Sequence, residues 1–167
     1  MQDQVNTLKE KGIKAMALTS GLNYDDMDRM LDNCIFGNYK FLYLSPERLQ
    51  QDLVQQRIKQ MNVNLIAVDE AHCISQWGHD FRPAFRDIKL LRTLHPNVNV
   101  IGLTASATAK VVEDMTTQLD CIAPQIFKTS FQRPNLAYLT LDCEDKYFKT
   151  VQILKKYVGA SIVYVRN

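Results

Sequence analysis

Residues 69–82, DEAHCISQWGHDFR, gather adjacent carboxylates, two imidazoles, a thiol, the chain's single tryptophan, a phenyl ring and a guanidinium into one short stretch. The stretch directly follows the apolar run VNLIAV (63–68). Of two neighbouring acids, one can hold Mg2+, directly or through water, while the other orients or deprotonates an attacking water. Two acids can also merely end a strand, and on Asp69 and Glu70 alone that plainer reading stays open. Trp77 and Phe81 offer flat faces on which nucleic-acid bases stack at about 1–3 kcal/mol each, whatever the base sequence. Arg82 is suited to pairing a phosphate. The bland alternative folds both rings inward and pairs Arg82 with Asp80. A third reading makes His72, Cys73 and His79, with Asp69 or Glu70, a zinc set. Adjacent residues 72 and 73 reach one ion only with strain, and neither HExxH nor CxxC spacing occurs, so no zinc is expected.

The elements that must hold these residues alternate. Val5 and Leu8 mark a helical face over 1–11, KAMAL (14–18) reads as a strand, and Met27, Met30, Leu31, Cys34 and Ile35 repeat at helical spacing over 24–36. FLYL (41–44) is the next strand. Ser45-Pro46-Glu47 then opens a helix, with a hydroxyl cap, proline at its first position and an early acid. VNLIAV (63–68) and VNVIGL (98–103) are the third and fourth strands, with helix over 85–95 between them, and Thr108 caps a helix over 109–119. Runs so continuously aliphatic predict strands covered on both faces, hence a mostly parallel, doubly wound α/β sheet. In such sheets ligands sit beyond the carboxyl ends of the strands, where Asp69 and Glu70 fall.

After Cys121 the pattern loosens, with a helix over about 145–157 and a last strand SIVYV (161–165). A boundary is expected near 125–133, dividing the chain into 1–128 and 129–167. A final strand with nothing following to cover it suggests a severed domain.

Composition narrows the partners. Among 167 residues, 20 Lys and Arg against 18 Asp and Glu give a formal charge of +2, so any nucleic-acid or membrane contact must be argued locally. Cys34, Cys73, Cys121 and Cys143 are far apart, as suits reduced thiols of a cytosolic protein. No apolar run approaches the ~18 residues of a membrane span, and residues 1–11 carry no secretory signal. The expectation is a soluble cytoplasmic protein, nucleoid-associated in a bacterium, with no membrane partner.

Asp69-Glu70-Ala71-His72 is the DEAH form of the Walker B box of superfamily 2 helicases, and Cys73-Ile74-Ser75-Gln76-Trp77-Gly78-His79-Asp80-Phe81-Arg82-Pro83 resembles the aromatic-rich loop of RecQ-family DNA helicases. Thr104-Ala105-Ser106-Ala107-Thr108 resembles motif III, with serine where threonine is usual, so the hydroxyl is kept. Ser45-Pro46-Glu47-Arg48-Leu49 resembles motif Ib, and Met1-Gln2-Asp3-Gln4-Val5 the tail of motif Ia. Arg133-Pro134-Asn135 resembles the crossing into a second lobe, and residues 161–167 the opening of motif IV.

The resemblance implies RecA-like lobes of the P-loop NTPase type. Residues 1–128 would be the remainder of the first lobe, and 129–167 the linker and beginning of the second. It implies Mg2+ on Asp69 and water activation by Glu70. His72, Thr104, Ser106, Thr108, Gln76 and Arg82 would couple the nucleotide to the DNA. Trp77, Phe81, Ser45, Pro46, Glu47, Arg48, Thr19, Ser20 and Gln2 would contact nucleic acid. ATP with Mg2+, and single-stranded and forked DNA, are the implied ligands of a helicase that translocates along single strands and unwinds duplexes in repair and recombination.

No GxxxxGK[ST] cradle for the phosphates occurs among these residues, nor does the family's glutamine segment, arginine finger, zinc-binding domain or winged helix. Those missing segments of a parent chain are therefore expected partners, and this stretch alone is expected to lack ATPase activity. Two competing classes remain: a non-catalytic module binding single-stranded nucleic acid, and a zinc-dependent hydrolase.

Overall fold

The computed structural model describes residues 1–78, 80–130 and 133–165. His79, Arg166 and Asn167 lie outside the described residues, and with them part of the zinc alternative and the end of the motif IV match. The chain divides into two compact units, 1–125 and 126–167.

In the first unit, helix α1 (Gln2–Glu10) leads into strand β1 (Ala15–Leu18), helix α2 (Tyr24–Phe36) into β2 (Phe41–Leu44), and α3 (Asp52–Gln60) into β3 (Leu65–Val68). Helix α4 (Lys89–Leu94), strand β4 (Asn99–Gly102) and helix α5 (Ala109–Gln118) complete it. This is an α/β fold with parallel pairing throughout: β1 lies on β2 with Leu18 opposite Leu44, and β3 on β4 with Val68 opposite Gly102.

The expected single sheet is instead two two-stranded ladders. They are joined through packing: Leu18 of β1, Ile66 and Val68 of β3, and Met27, Leu31, Val54 and Ile58 of α2 and α3 belong to one buried cluster. Double coverage is fullest for β1, and β2 shares it in part, with Leu42 and Leu44 against the main core and Tyr43 against the α1 side. On β1, Ala15 and Ala17 face Val5 of α1, while Leu18 packs into the main core. On β3 the burial alternates, with Ile66 and Val68 inward and Leu65 and Ala67 exposed; Ile101 and Leu103 are exposed on the neighbouring strand. That face of the β3–β4 ladder is exposed among the described residues.

Local chemistry explains most boundaries. The Asn23 side chain accepts the Asp26 N–H at 2.8 Å and starts α2, and Thr108 accepts the Val111 N–H at 3.4 Å at the start of α5. The segment opened by Ser45 differs from expectation. Residues Pro46–Gln50 form a 3-10 turn before α3, and Ser45 provides no side-chain cap. Likewise 85–95 splits into a 3-10 segment (Pro83–Ile88) running into α4. Arg57 ties α3 to α2 by pairing with Asp28 at 2.7 Å and Asp32 at 2.8 Å.

The second unit contains α6 (Lys146–Lys156), whose first turn is capped by Asp145 accepting the Phe148 N–H at 2.8 Å. The strand expected over 161–165 is not formed. An extended segment becomes a strand only when a neighbour takes up its N–H and C=O groups, and no strand occurs among the described residues of this unit.

Leu31 is wholly buried between α2 and the core. Leu31→Ala should lower unfolding stability by about 2–5 kcal/mol, the cost of lost burial plus a cavity. Urea denaturation followed by circular dichroism reads this directly, and a loss below about 1 kcal/mol would contradict the packing described.

Candidate functional site

The β3–β4 ladder continues past both strands. Leu103 N–H donates to Val68 O at 2.8 Å, and Ala71 N–H donates back to Leu103 O at 2.9 Å. Asp69 and Glu70 are thereby held beside Thr104 at the carboxyl edge. Glu70 adopts a left-handed backbone, φ +48°, which a non-glycine residue takes at some cost. The Asp69 carboxylate accepts the Glu70 N–H at 2.9 Å and supports that turn. Both acids are exposed.

His72, only 11% exposed at its side chain, is where the elements meet. Its Nδ1 lies 2.9 Å from Thr104 Oγ1 and 3.3 Å from the Glu70 carboxylate. Thr104 Oγ1 is also 3.3 Å from Ser106 O, to which it can donate, and accepts the Ser106 N–H at 3.3 Å. On the other side of the ring, Nε2 faces Asp80 at 3.8 Å. One imidazole thus lies close to Glu70, to Thr104 after β4 and to Asp80 of the loop that follows.

That loop is closed by its own backbone. Arg82 N–H donates to Cys73 O at 2.9 Å, and Gly78 N–H donates to Ser75 O at 3.1 Å. A Cβ on Gly78 would sit 2.8 Å from His72 O, so the turn admits only glycine without rearrangement. Ser75 is fully buried; its hydroxyl donates to the Asp114 carboxylate of α5 at 2.6 Å and accepts the Trp77 N–H at 3.2 Å. Trp77 is 62% exposed, with Lys110 Nζ 3.0 Å from its ring centroid. Phe81 is half-buried, with the Arg86 guanidinium 5.1 Å from its centroid. Gln76 and Arg82 are exposed, and Asp80 faces His72; no ion pair joins Asp80 to Arg82. The inward-folded alternative is therefore wrong for Trp77 and half right for Phe81.

Burial pushes the Cys73 thiol above its ordinary range. Among the described residues, no three of His, Cys, Asp and Glu converge on a point where an ion could be held.

A second group forms where β1 and β2 end. Their register sets Leu18 opposite Leu44, so Thr19 and Ser45 follow the ends of neighbouring strands, with Ser20 and Pro46 next along each chain. The Arg48 guanidinium donates to Thr19 O and to the Gln51 side chain, the latter at 3.2 Å, so it ties the two strand ends together. The Glu47 carboxylate is held below its ordinary range by its own backbone N–H, then by the Ser45 hydroxyl and by the positive charge of Arg82. Gln2, exposed in the first turn of α1, donates to Asn6 at 3.2 Å. Ser106 and Thr108 lie exposed between β4 and α5.

Lys110, Asp114, Ser75 and Arg86 were not singled out by sequence. The available signal was spacing: Lys110 and Asp114 lie four apart on a helix capped by Thr108, hence on one face.

A family model described as DEAD/DEAH box helicase matches residues 1–115. The ATP-dependent DNA helicase RecQ of Bacillus subtilis (strain 168) is 40% identical, over 87% of this chain and 25% of its own length. RecQ of Haemophilus influenzae is 38% identical over 96% of this chain and 25% of its own. The bifunctional 3'-5' exonuclease/ATP-dependent helicase WRN of Mus musculus is 42% identical over 81% and 10%. The chain spans a quarter or less of the length of these three curated relatives. With the DEAH box at the end of a parallel strand and hydroxyls beside it, this chain belongs to the DEAD/DEAH box helicase family, and its likeness to RecQ-type helicases runs along nearly its whole length.

Proposed function

We propose that this chain is the acid-box and strand-sensing portion of a RecQ-type helicase, which couples ATP hydrolysis to movement along single-stranded DNA and to unwinding of forked duplexes. The observation that carries the reading is His72, whose ring joins the Glu70 carboxylate to Thr104 on one side and approaches Asp80 of the aromatic loop on the other. A change at either end of that arrangement must be accommodated by the same imidazole.

Asp69 fits a magnesium ion arriving with nucleotide. It is exposed at the ladder's end, and a single carboxylate supplemented by waters and phosphate oxygens is an ordinary Mg2+ donor set. When bound, such an ion would neutralise charge on the phosphate oxygens. Glu70, turned by its left-handed backbone and 3.3 Å from His72, is the candidate to orient the attacking water. Trp77 and Phe81 are the stacking residues, and Arg82 is available to a phosphate. Thr19, Ser20, Ser45, Pro46 and Glu47, gathered where β1 and β2 end, are candidates to follow the sugar–phosphate backbone, with Gln2 a further candidate. Arg48, already committed to Thr19, supports that edge from behind.

The 167 residues contain no GxxxxGK[ST], so binding without turnover is the behaviour expected of them in isolation. They should bind labelled oligothymidine with affinity that falls steeply as salt rises. Trp77→Ala should weaken that binding by about 5- to 150-fold, corresponding to about 1–3 kcal/mol of stacking. Fluorescence anisotropy measures both, and unchanged affinity in Trp77→Ala would remove the stacking role. ATP turnover by the chain, with or without DNA, should equal that of Glu70→Gln. Turnover that depends on Glu70 would overturn the expectation of inactivity.

A further inference from the structure

We propose that Lys110 is a positioning residue for strand binding: it backs one face of the Trp77 indole and holds the ring outward, so that the opposite face is ready for a base. The inference rests on the stacking role proposed for Trp77 and adds the group that makes that ring a fixed platform.

An exposed tryptophan on a loop would ordinarily sample several rotamers, and ordering it on binding would cost affinity. Here the ring is restrained from two directions. Lys110 Nζ sits 3.0 Å from the ring centroid, within the range in which an ammonium is attracted to the indole face. One helical turn further along α5, Asp114 accepts the Ser75 hydroxyl at 2.6 Å, and that hydroxyl in turn accepts the Trp77 N–H. The backbone of residue 77 and its ring are therefore both fastened to α5. Ser75 is fully buried, which shields its bond to Asp114 from competing water, whereas the ring remains 62% exposed. Such exposure with one face occupied leaves the other face for a ligand.

The anchoring helix is itself tied to the acid box. α5 starts at Thr108, four residues after the Thr104 that bonds His72. Phe81 has a comparable arrangement, with Arg86 at 5.1 Å, but it is half-buried and its cation comes from the adjoining 3-10 segment, so Lys110 is the contact that reaches outside the loop's own stretch.

The chain's single tryptophan makes the test direct, because its emission reports this ring alone. Lys110→Met keeps the apolar stem and removes the ammonium; Lys110→Arg keeps a cation. In the free chain, with unchanged far-ultraviolet circular dichroism, Lys110→Met should shift Trp77 emission and increase its quenching by acrylamide, while Lys110→Arg should not. Oligothymidine affinity should fall about 3- to 10-fold in Lys110→Met and stay within about twofold in Lys110→Arg. In a Trp77→Leu background, Lys110→Met should cost nothing further. Unchanged quenching in Lys110→Met overturns the proposal. So does an equal loss of affinity with and without Trp77, accompanied by a shallower salt dependence, which would make Lys110 a phosphate contact. A neutral Trp77→Leu variant sinks the stacking role and, with it, the ligand assigned to the platform; the quenching result separates that failure from a failure of the Lys110 contact.

Discussion

The parallel register of β3 on β4 is the constraint from which the site follows. Because Val68 lies opposite Gly102 and the ladder runs on through Leu103 to Ala71, the residues after each strand emerge side by side. Asp69 and Glu70 are then neighbours of Thr104, although more than thirty positions separate them in sequence. A slip of one residue would turn Ile66 and Val68 out of the core and present the acids in another direction. Burial of those two side chains thus enforces the chemistry at the edge as well as the fold beneath it.

His72 converts that adjacency into a connection. Ala71, His72, Cys73 and Ile74 are all buried, so the ring has little freedom to leave its partners. A buried imidazole must satisfy both nitrogens, and here Nδ1 has Thr104 and Glu70 while Nε2 has Asp80 and the Cys73 sulfur close by.

The aromatic loop, outside regular structure, is held at several described positions. Its ends are joined by the Arg82–Cys73 backbone bond, its turn depends on Gly78, and its middle is fastened by Ser75 to Asp114. Each ring then carries a cation on its face, Lys110 on Trp77 and Arg86 on Phe81.

Local signals in the sequence were enough for the strands and most helices of the first unit and for placing the acid box at a strand's end. FLYL and the helix over 24–36 match β2 and α2 residue for residue, and Thr108 caps α5, because capping groups and apolar periodicity act within a few residues. The run from Asp69 to Pro83 likewise identified the family, since motif residues are contiguous in the chain. What lay beyond reach were relations between distant segments. Aliphatic continuity said nothing of the bare face at Leu65 and Ile101, or of the break between β2 and β3, and SIVYV carried strand propensity without a partner to pair with. Nor could it tell that Arg48 turns back to Thr19 or that Lys110 reaches Trp77. Hydrogen bonds, coverage and cation–ring contacts depend on which surfaces meet, and only the packed chain decides that.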